Sequence, residues 1–218
     1  MLGQFPYNQA MTHETFFSRV MNLFGLSLLM GAAGAWISWR WTPGIFFPAV
    51  LLEFAFLLGI MFVRRNQEIR GLLFSLFSLT TGVTLVPLLH AAISMGGIMI
   101  VIHALGITGV TFFALSLYAL KSERDFSFLG GILFAGIIGL FVAGIVQFFF
   151  HSPLFVLGYS MVGVLLFSGF VLYDMSNIKR RYAEDQYVDA ALALYLDFLN
   201  LFVLILQILM SFSGRERD

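Results

Sequence analysis

The chain has 218 residues, of which 60% are hydrophobic and only 11% are charged, and its mean hydropathy is +0.93. So few charges exclude a soluble globular domain, because such domains carry about 25% charged residues. The 12 basic and 12 acidic residues cancel, so a nucleic-acid-binding face is not indicated, and the absence of cysteine excludes disulfides and thiolate-bound metals. The composition predicts a polytopic membrane protein.

Uncharged stretches between charged loops predict an all-α membrane protein with one domain over residues 1–218. Seven spans of about 20 residues each fit the length. The predicted spans are residues 20–39, 45–63, 71–92, 98–120, 126–150, 154–176 and 190–212. The breaks Ser94-Met95-Gly96-Gly97 and His151-Ser152-Pro153 divide the two longest uncharged stretches, and the polar runs 121–125 and 179–189 are predicted loops.

Lysine and arginine are distributed unevenly between alternate loops. If the N-terminus is cytoplasmic, nine of these residues lie on the cytoplasmic side and three on the other side. Because cytoplasmic loops carry the excess of positive charge, we expect the N-terminus inside and the C-terminus outside. The first 15 residues lack the basic region and cleavage site of a signal peptide, so the first span is expected to stay in the protein.

Three acidic residues lie inside predicted spans, namely Glu53 in span two, Asp174 near the end of span six and Asp197 in span seven. An ionisable side chain in a bilayer costs several kcal/mol unless it is paired, protonated or in contact with water. These residues are therefore candidates for a functional site. The alternative is that they are neutral, hydrogen-bonded packing groups, and Asp174, near a helix end, could also simply reach water.

Asp174 and Asp197 lie 11 to 12 residues on either side of the midpoint of the hairpin that spans six and seven form. A symmetric hairpin places them at similar depth, although depth alone does not make them face each other. If they do, both cannot ionise cheaply, so they share a proton near neutral pH. When ionised, their oxygens suit a hard cation such as Ca²⁺.

Arg64 ends span two on the same side of the membrane, where it either reaches a carboxylate or only anchors the span. Glu53 precedes Arg64 by 11 residues, which places it about 16 Å deeper at about 1.5 Å per residue. A carboxylate there would extend a polar path for cations from the aspartate pair toward the outer face. Arg65 and Arg70 are predicted to be positively charged anchors only.

The run Ala193-Leu-Tyr-Leu-Asp197-Phe-Leu-Asn-Leu-Phe202 in span seven resembles the signature of the Bax inhibitor-1 family, also called the transmembrane Bax inhibitor motif family. Residues 81–87 and 121–127 and the pair Tyr173-Asp174 resemble the family at corresponding positions, so the resemblance covers essentially the whole chain. The short ends and loops are typical of a bacterial member, which implies the bacterial cytoplasmic (inner) membrane.

The resemblance implies a seven-helix bundle with a central last helix, and the activity of a pH-sensitive calcium leak channel. It further implies that Asp174 and Asp197 form a hydrogen-bonded pH sensor onto which Arg64 latches. Glu53 matches the family's acid in span two. Ten residues after Asp197, where relatives carry an arginine, this chain has Gln207, so Glu53 is expected to be neutral or bonded to Gln207 at an outer gate.

The predicted function is therefore passive, pH-gated leak of Ca²⁺, with protons as the gating ligand, the lipid bilayer as the surroundings and no cofactor. Two alternatives are a regulatory protein that binds and modulates a membrane protease or another membrane complex, and a proton-coupled transporter. Enzymes are disfavoured because the chain has neither the Gly-x-Ser-Gly of rhomboid proteases nor the His-Glu-x-x-His of zinc proteases. Asp197 also lacks the Gly-x-Gly-Asp context of intramembrane aspartyl proteases.

Overall fold

The computed structural model describes residues 5–40, 43–63, 66–149 and 152–213, with the backbone alone for residues 5–14, 43 and 148. Seven α-helices account for most of these residues. They are α1 (Phe5–Ser38), α2 (Phe46–Phe62), α3 (Gln67–Gly96), α4 (Ile98–Lys121), α5 (Gly130–Phe149), α6 (Pro153–Arg180) and α7 (Tyr187–Ser213). Three short 3-10 turns, Pro43–Ile45, Phe126–Leu129 and Glu184–Gln186, precede α2, α5 and α7, and the described residues include no strand.

Six of these helices, all except α2, are long and apolar enough to cross a membrane. Helix α2 is equally apolar but has 17 residues, or about 26 Å of helix against a hydrocarbon core of about 30 Å. The structure therefore confirms an all-helical, multi-pass membrane protein, and the seventh span at α2 stays a prediction. The orientation of the termini and the central position of α7 stay predictions as well.

Several helices extend beyond the boundaries that the charges predict. Helix α3 begins at Gln67 and ends at Gly96, and the predicted loop over residues 179–189 shrinks because α6 continues to Arg180 and α7 begins at Tyr187. Charges mark where the hydrocarbon ends. A helix can continue past that level when its polar groups find other partners, so these helices run about one turn beyond the predicted ends of the spans, and the span boundaries stay predictions.

The predicted breaks between spans coincide with local backbone signals. Gly97 separates α3 from α4 and has a φ of 72°, in the left-handed region that glycine adopts without a steric penalty. Pro153 is the first residue of α6, where its missing N–H costs nothing because the first turn of a helix has no internal acceptor for it. His151 lies outside the described residues.

The chain divides into two compact units. Unit 1 comprises Met1–Leu88 and Tyr182–Tyr195, and unit 2 comprises Leu89–Arg181 and Leu196–Asp218. In unit 2, α6 packs against α4 and α5. Its buried positions Ser160, Gly163, Phe167 and Val171 recur every three or four residues, as expected for one face of a helix.

In unit 1, helices α1 and α3 approach each other backbone to backbone. A Cβ atom on Gly82 of α3 would lie 1.9 Å from the carbonyl oxygen of Gly31, and one on Gly34 of α1 would lie 2.0 Å from the carbonyl oxygen of Leu79. Any side chain there would force the helices apart. Small residues at such contacts are the usual basis of tight helix packing in membranes.

We expect Gly82→Ala to destabilise the protein by about 1–3 kcal/mol, because the added methyl group clashes with the backbone of α1. The measurement is the temperature midpoint of unfolding in detergent, which should fall. Gly71→Ala is the matched control on the same helix, since a Cβ at Gly71 meets nothing within 4 Å. Equal midpoints for the two variants would contradict the close contact.

Candidate functional site

The structure brings two of the three membrane acids together. Asp174 of α6 and Asp197 of α7, both in unit 2, are 9% and 3% exposed, and their carboxyl groups are within hydrogen-bonding reach of each other. Two carboxyl groups can form a hydrogen bond only if one of them carries a proton, because a carboxylate is solely an acceptor. The arrangement can therefore hold one shared proton.

Several residues close to this pair along its two helices are apolar and buried. Val171 and Met175 on α6 and Leu201 on α7 are 0%, 1% and 0% exposed, and the ring of Phe198, next to Asp197, packs edge-on against Phe112 of α4 at 5.5 Å between centroids. Charge interactions are much stronger in such surroundings than in water. A change of one proton on the pair therefore has a large effect on any cation or guanidinium nearby.

One oxygen of the pair is available for a further partner. Asp197 Oδ2 is buried and has no hydrogen-bond partner in the described part of the chain. Buried polar atoms are almost always hydrogen-bonded in proteins, to a protein group, water or an ion. This oxygen is thus the point where the pair can accept a hydrogen bond or contact a cation.

The end of α6 that carries Asp174 is fixed to the connection between α4 and α5. The backbone N–H of Phe126 donates to Ser176 Oγ at 3.1 Å, and Lys179 Nζ donates to the carbonyl oxygens of Leu120 at 2.6 Å and Ser122 at 3.0 Å. The last carbonyl groups of a helix lack partners within that helix. Lys179 supplies such a partner and holds α6 against the end of α4.

Asp125 strengthens this connection at the surface. Its carboxylate accepts from the backbone N–H of Ser127 at 2.9 Å and from the guanidinium of Arg181 at 3.2 Å. The backbone N–H and then the hydroxyl of Ser127, followed by Arg181, lower the pKa of Asp125 from 3.8 to about 2. The lowered pKa means that the interaction is fully present above pH 3.8 and is lost as the pH falls through about 2.

We therefore expect the connection to stay intact throughout the mildly acidic range in which a shared carboxyl proton exchanges. The measurement is hydrogen exchange of the Ser127 amide followed by mass spectrometry between neutral pH and pH 3. Asp125→Ala should raise that exchange at every pH, because it removes the acceptor. Asp185→Ala, an exposed acid in another loop, is the control. Unchanged protection in Asp125→Ala would refute the assignment.

Of the predicted basic residues Arg64, Arg65 and Arg70, the structure describes Arg70, and its contacts differ from the prediction. Arg64 and Arg65 lie outside the described residues, so the Arg64 latch stays a prediction. Arg70, predicted to be only an anchor, has an 8% exposed side chain and forms a two-pronged ion pair with Asp189 of α7. Its Nε also donates to the carbonyl oxygen of Ile60 in α2 at 3.2 Å. Arg70 thus ties three helices of unit 1 together, which no local pattern in the sequence reveals.

Glu53 and Gln207 each have hydrogen-bond partners. Glu53, half-buried on α2, is bonded through its two oxygens to the hydroxyl groups of Thr81 at 3.2 Å and Thr84 at 3.0 Å. In unit 2, Gln207 Oε1 accepts from the buried hydroxyl of Ser160 at 2.9 Å. A direct bond between Glu53 and Gln207 stays a prediction, as does the outer gate.

Sequence reasoning missed the polar groups around Glu53. Thr81 and Thr84 are three residues apart and therefore share one face of α3, and Tyr195 of α7 is hydrogen-bonded to the side chain of Thr81. The spacing of the two threonines was a usable signal. What the sequence lacked was the information that this face of α3 meets Glu53.

In the part of the chain that the structure describes, no three His, Asp or Glu side chains come together as a ligand group for a metal ion. Glu53 is bonded within unit 1, whereas Asp174 and Asp197 are bonded to each other within unit 2. A cation at the aspartate pair would have to complete its shell of six to eight oxygens from two carboxyl groups, hydroxyl or backbone oxygens and water.

These features define an all-helical, multi-pass membrane protein with a buried pair of carboxyl groups. A family model described as "Inhibitor of apoptosis-promoting Bax1" matches residues 13–214 of the chain. The protein belongs to this family, the Bax inhibitor-1 family, so the family resemblance predicted from the sequence is confirmed.

Relatives occur in bacteria and eukaryotes. An uncharacterized protein of Helicobacter pylori is 37% identical over 214 residues, which cover 93% of this chain and 89% of the relative. Bax inhibitor 1 of Schizosaccharomyces pombe is 32% identical over 201 residues, covering 91% and 73%. The Modulator of FtsH protease YccA of Escherichia coli is 34% identical over 173 residues, covering 78% of each chain.

Proposed function

We propose that this protein mediates a passive, pH-gated leak of Ca²⁺ across the bacterial cytoplasmic membrane. The observation that carries the proposal is the buried contact between Asp174 and Asp197, with one carboxyl oxygen that has no partner among the described residues. A membrane protein that buries two adjacent carboxyl groups accepts a cost of several kcal/mol. The cost is understandable if the pair exchanges a proton or a cation during function.

The proposed gate works through the charge of this pair. With the shared proton lost, the pair carries two negative charges and attracts the Arg64 guanidinium strongly, which closes the path. With the proton bound, the attraction weakens and the path opens. Because the same proton also weakens the attraction for Ca²⁺, the flux is expected to pass through a maximum as the pH changes.

The remaining polar groups extend this path. Glu53 supplies a third carboxyl group within the membrane, and Gln207 with Ser160 supplies uncharged oxygens. A cation moving between carboxyl groups always has an opposite charge nearby, which offsets part of the cost of leaving water. We propose that Glu53 continues the path from the aspartate pair toward the outer face, and that Glu53 and Gln207 belong to its outer gate.

Asn at position 197 cannot share a proton as a carboxyl group does, so we expect Asp197→Asn to abolish gating. The measurement is Ca²⁺ uptake into proteoliposomes across a range of pH from 5 to 8. The ratio of ionised to protonated carboxyl groups changes about tenfold per pH unit, whereas flux through the variant should vary by no more than about twofold over this range. Asp174→Asn should behave in the same way.

The control for this assay is Asp185→Asn, which removes an exposed carboxylate outside the seven α-helices and should leave the pH profile as it is. A pH profile of Asp197→Asn equal to that of the unmodified protein would rule out the proposed sensor. Failure of the unmodified protein to conduct Ca²⁺ at any pH would rule out the leak itself.

A second function, modulation of a membrane protease, is supported by one specific observation. The Escherichia coli relative that is 34% identical to this chain carries the name Modulator of FtsH protease. A regulator of this kind would bind its partner within the membrane or through short loops, since the described helices leave only short connections between them.

If the protein modulates a membrane protease, we expect to recover that protease with it after crosslinking in native membranes. The recovered amount should be the same for Asp197→Asn, because this function does not require the carboxyl pair to titrate. A variant with an altered loop, Arg181→Ala, tests whether the contact lies on the connection between α6 and α7. Absence of a protease among the crosslinked proteins would exclude this second function.

A further inference from the structure

Each threonine beside Glu53 has two acceptors for a single hydroxyl proton. Thr81 Oγ1 lies 3.2 Å from Glu53 Oε1 and 2.8 Å from the carbonyl oxygen of Phe77. Thr84 Oγ1 lies 3.0 Å from Glu53 Oε2 and 3.0 Å from the carbonyl oxygen of Thr81. A hydroxyl group has one proton to donate and two lone pairs that accept, so each threonine must donate either to the acid or to its own helix.

Each of these two donation directions suits one protonation state of the Glu53 carboxyl group. When Glu53 is ionised, both hydroxyl groups donate to it, one to each oxygen. When Glu53 is protonated, its O–H donates to one threonine, and that hydroxyl group turns its own proton to the helix carbonyl. No polar atom of the cluster is left without a partner in either state, which is what a buried titrating group requires.

Tyr195 completes the cluster from α7. Its hydroxyl is hydrogen-bonded to the side chain of Thr81 and donates to the carbonyl oxygen of Ser78 at 3.4 Å. The tyrosine is 2% exposed, and the rings of Phe74 and Phe77 pack edge-on against it at 5.6 and 6.1 Å. Tyr195 is thus held by packing and by its bond to Ser78, and its oxygen faces Thr81 as an acceptor.

The backbone of α1 makes room for this hydroxyl group. A Cβ atom on Gly31 would lie 3.1 Å from the Tyr195 oxygen, which is closer than most side chains tolerate. The glycine therefore allows the tyrosine to reach Thr81.

Among the described side chains of unit 1, the other charged groups on the neighbouring helices are either paired or distant along the helix. Glu53 is the one charged residue of α2. On α3, Arg70 is paired with Asp189 of α7 and lies 11 residues before Thr81, or about 16 Å along the helix axis. Arg19 of α1 lies over the ring of Tyr187, 6.0 Å from its centre. His90 is also on α3 but lies outside unit 1.

From these contacts we propose that Glu53 is a second proton-exchange site, separate from the aspartate pair, and that Thr81, Thr84 and Tyr195 are its positioning residues. The inference rests on the proposed function in that it places this site on the cation path. A proton on Glu53 then reduces the negative charge that an entering cation meets. Cation entry and proton release at Glu53 are thereby coupled.

The test is infrared difference spectroscopy of the purified protein in lipid between acidic and alkaline pH. The C=O band of a protonated carboxyl group that disappears in Glu53→Gln reports the proton on Glu53. Thr84→Val keeps the shape of the side chain but removes a donor to the ionised form. We expect this variant to hold the Glu53 proton to higher pH by about 1 unit, a tenfold change in proton affinity, and Thr84→Ser to restore the original value.

Thr80→Val is the matched control. Thr80 is buried on the same helix, and its hydroxyl donates to the carbonyl oxygens of Leu76 and Phe77. Its removal should leave the Glu53 band where it is. Thr81→Val and Tyr195→Phe are independent variants of the cluster, and both should change the titration of the same band.

Two results would overturn the proposal: a Glu53 band that is absent over the whole pH range, or one that titrates identically in Thr84→Val and Thr80→Val. Ca²⁺ uptake measured on the same preparations separates this inference from the proposed function. A Glu53 band that titrates and responds to Thr84→Val, in a protein that conducts no Ca²⁺, supports the proton-exchange site and rules out the leak.

Discussion

The cost of placing a charged group in hydrocarbon governs the polar chemistry of this protein. Each of its membrane acids is bonded to a group supplied by another helix: Asp174 and Asp197 to each other, and Glu53 to two threonines of α3. We propose that the partner satisfies the buried acid and, where it also exchanges a proton with it, makes the charge of the cluster depend on pH. The same physical demand that excludes charge from most of the chain therefore concentrates its chemistry at two small clusters.

The two clusters solve this problem differently. In the proposed sensor, the aspartate pair shares one proton between two equal groups. The net charge of the pair changes by one unit when that proton is gained or lost. Glu53 relies on hydroxyl groups that reverse their direction of donation, so the surrounding helix accepts either state. Rigid packing supports both arrangements, through Phe198 on Phe112 in one case and Tyr195 on Phe74 in the other.

The sequence predicted the helical membrane fold, the breaks at Gly97 and Pro153 and the candidate acids, because hydropathy and charge act locally along the chain. It did not predict how far helices continue past the membrane surface, since those ends depend on partners such as Lys179. The sequence also did not predict the ion pair of Arg70, which was predicted to be only an anchor. Its acceptor, Asp189, is 119 residues away in the chain. Contacts of this kind depend on tertiary packing, which spacing in one helix does not encode.

The bonds of Lys179 have a consequence for the order in which the protein assembles during synthesis. The carbonyl groups that end α4 receive their donor from a residue 59 positions later. Until α5 and α6 have been made and inserted, the end of α4 must be satisfied by water or lipid headgroups. Synthesis of α6 therefore supplies the side-chain donor for the end of a helix that was made two helices earlier in the chain.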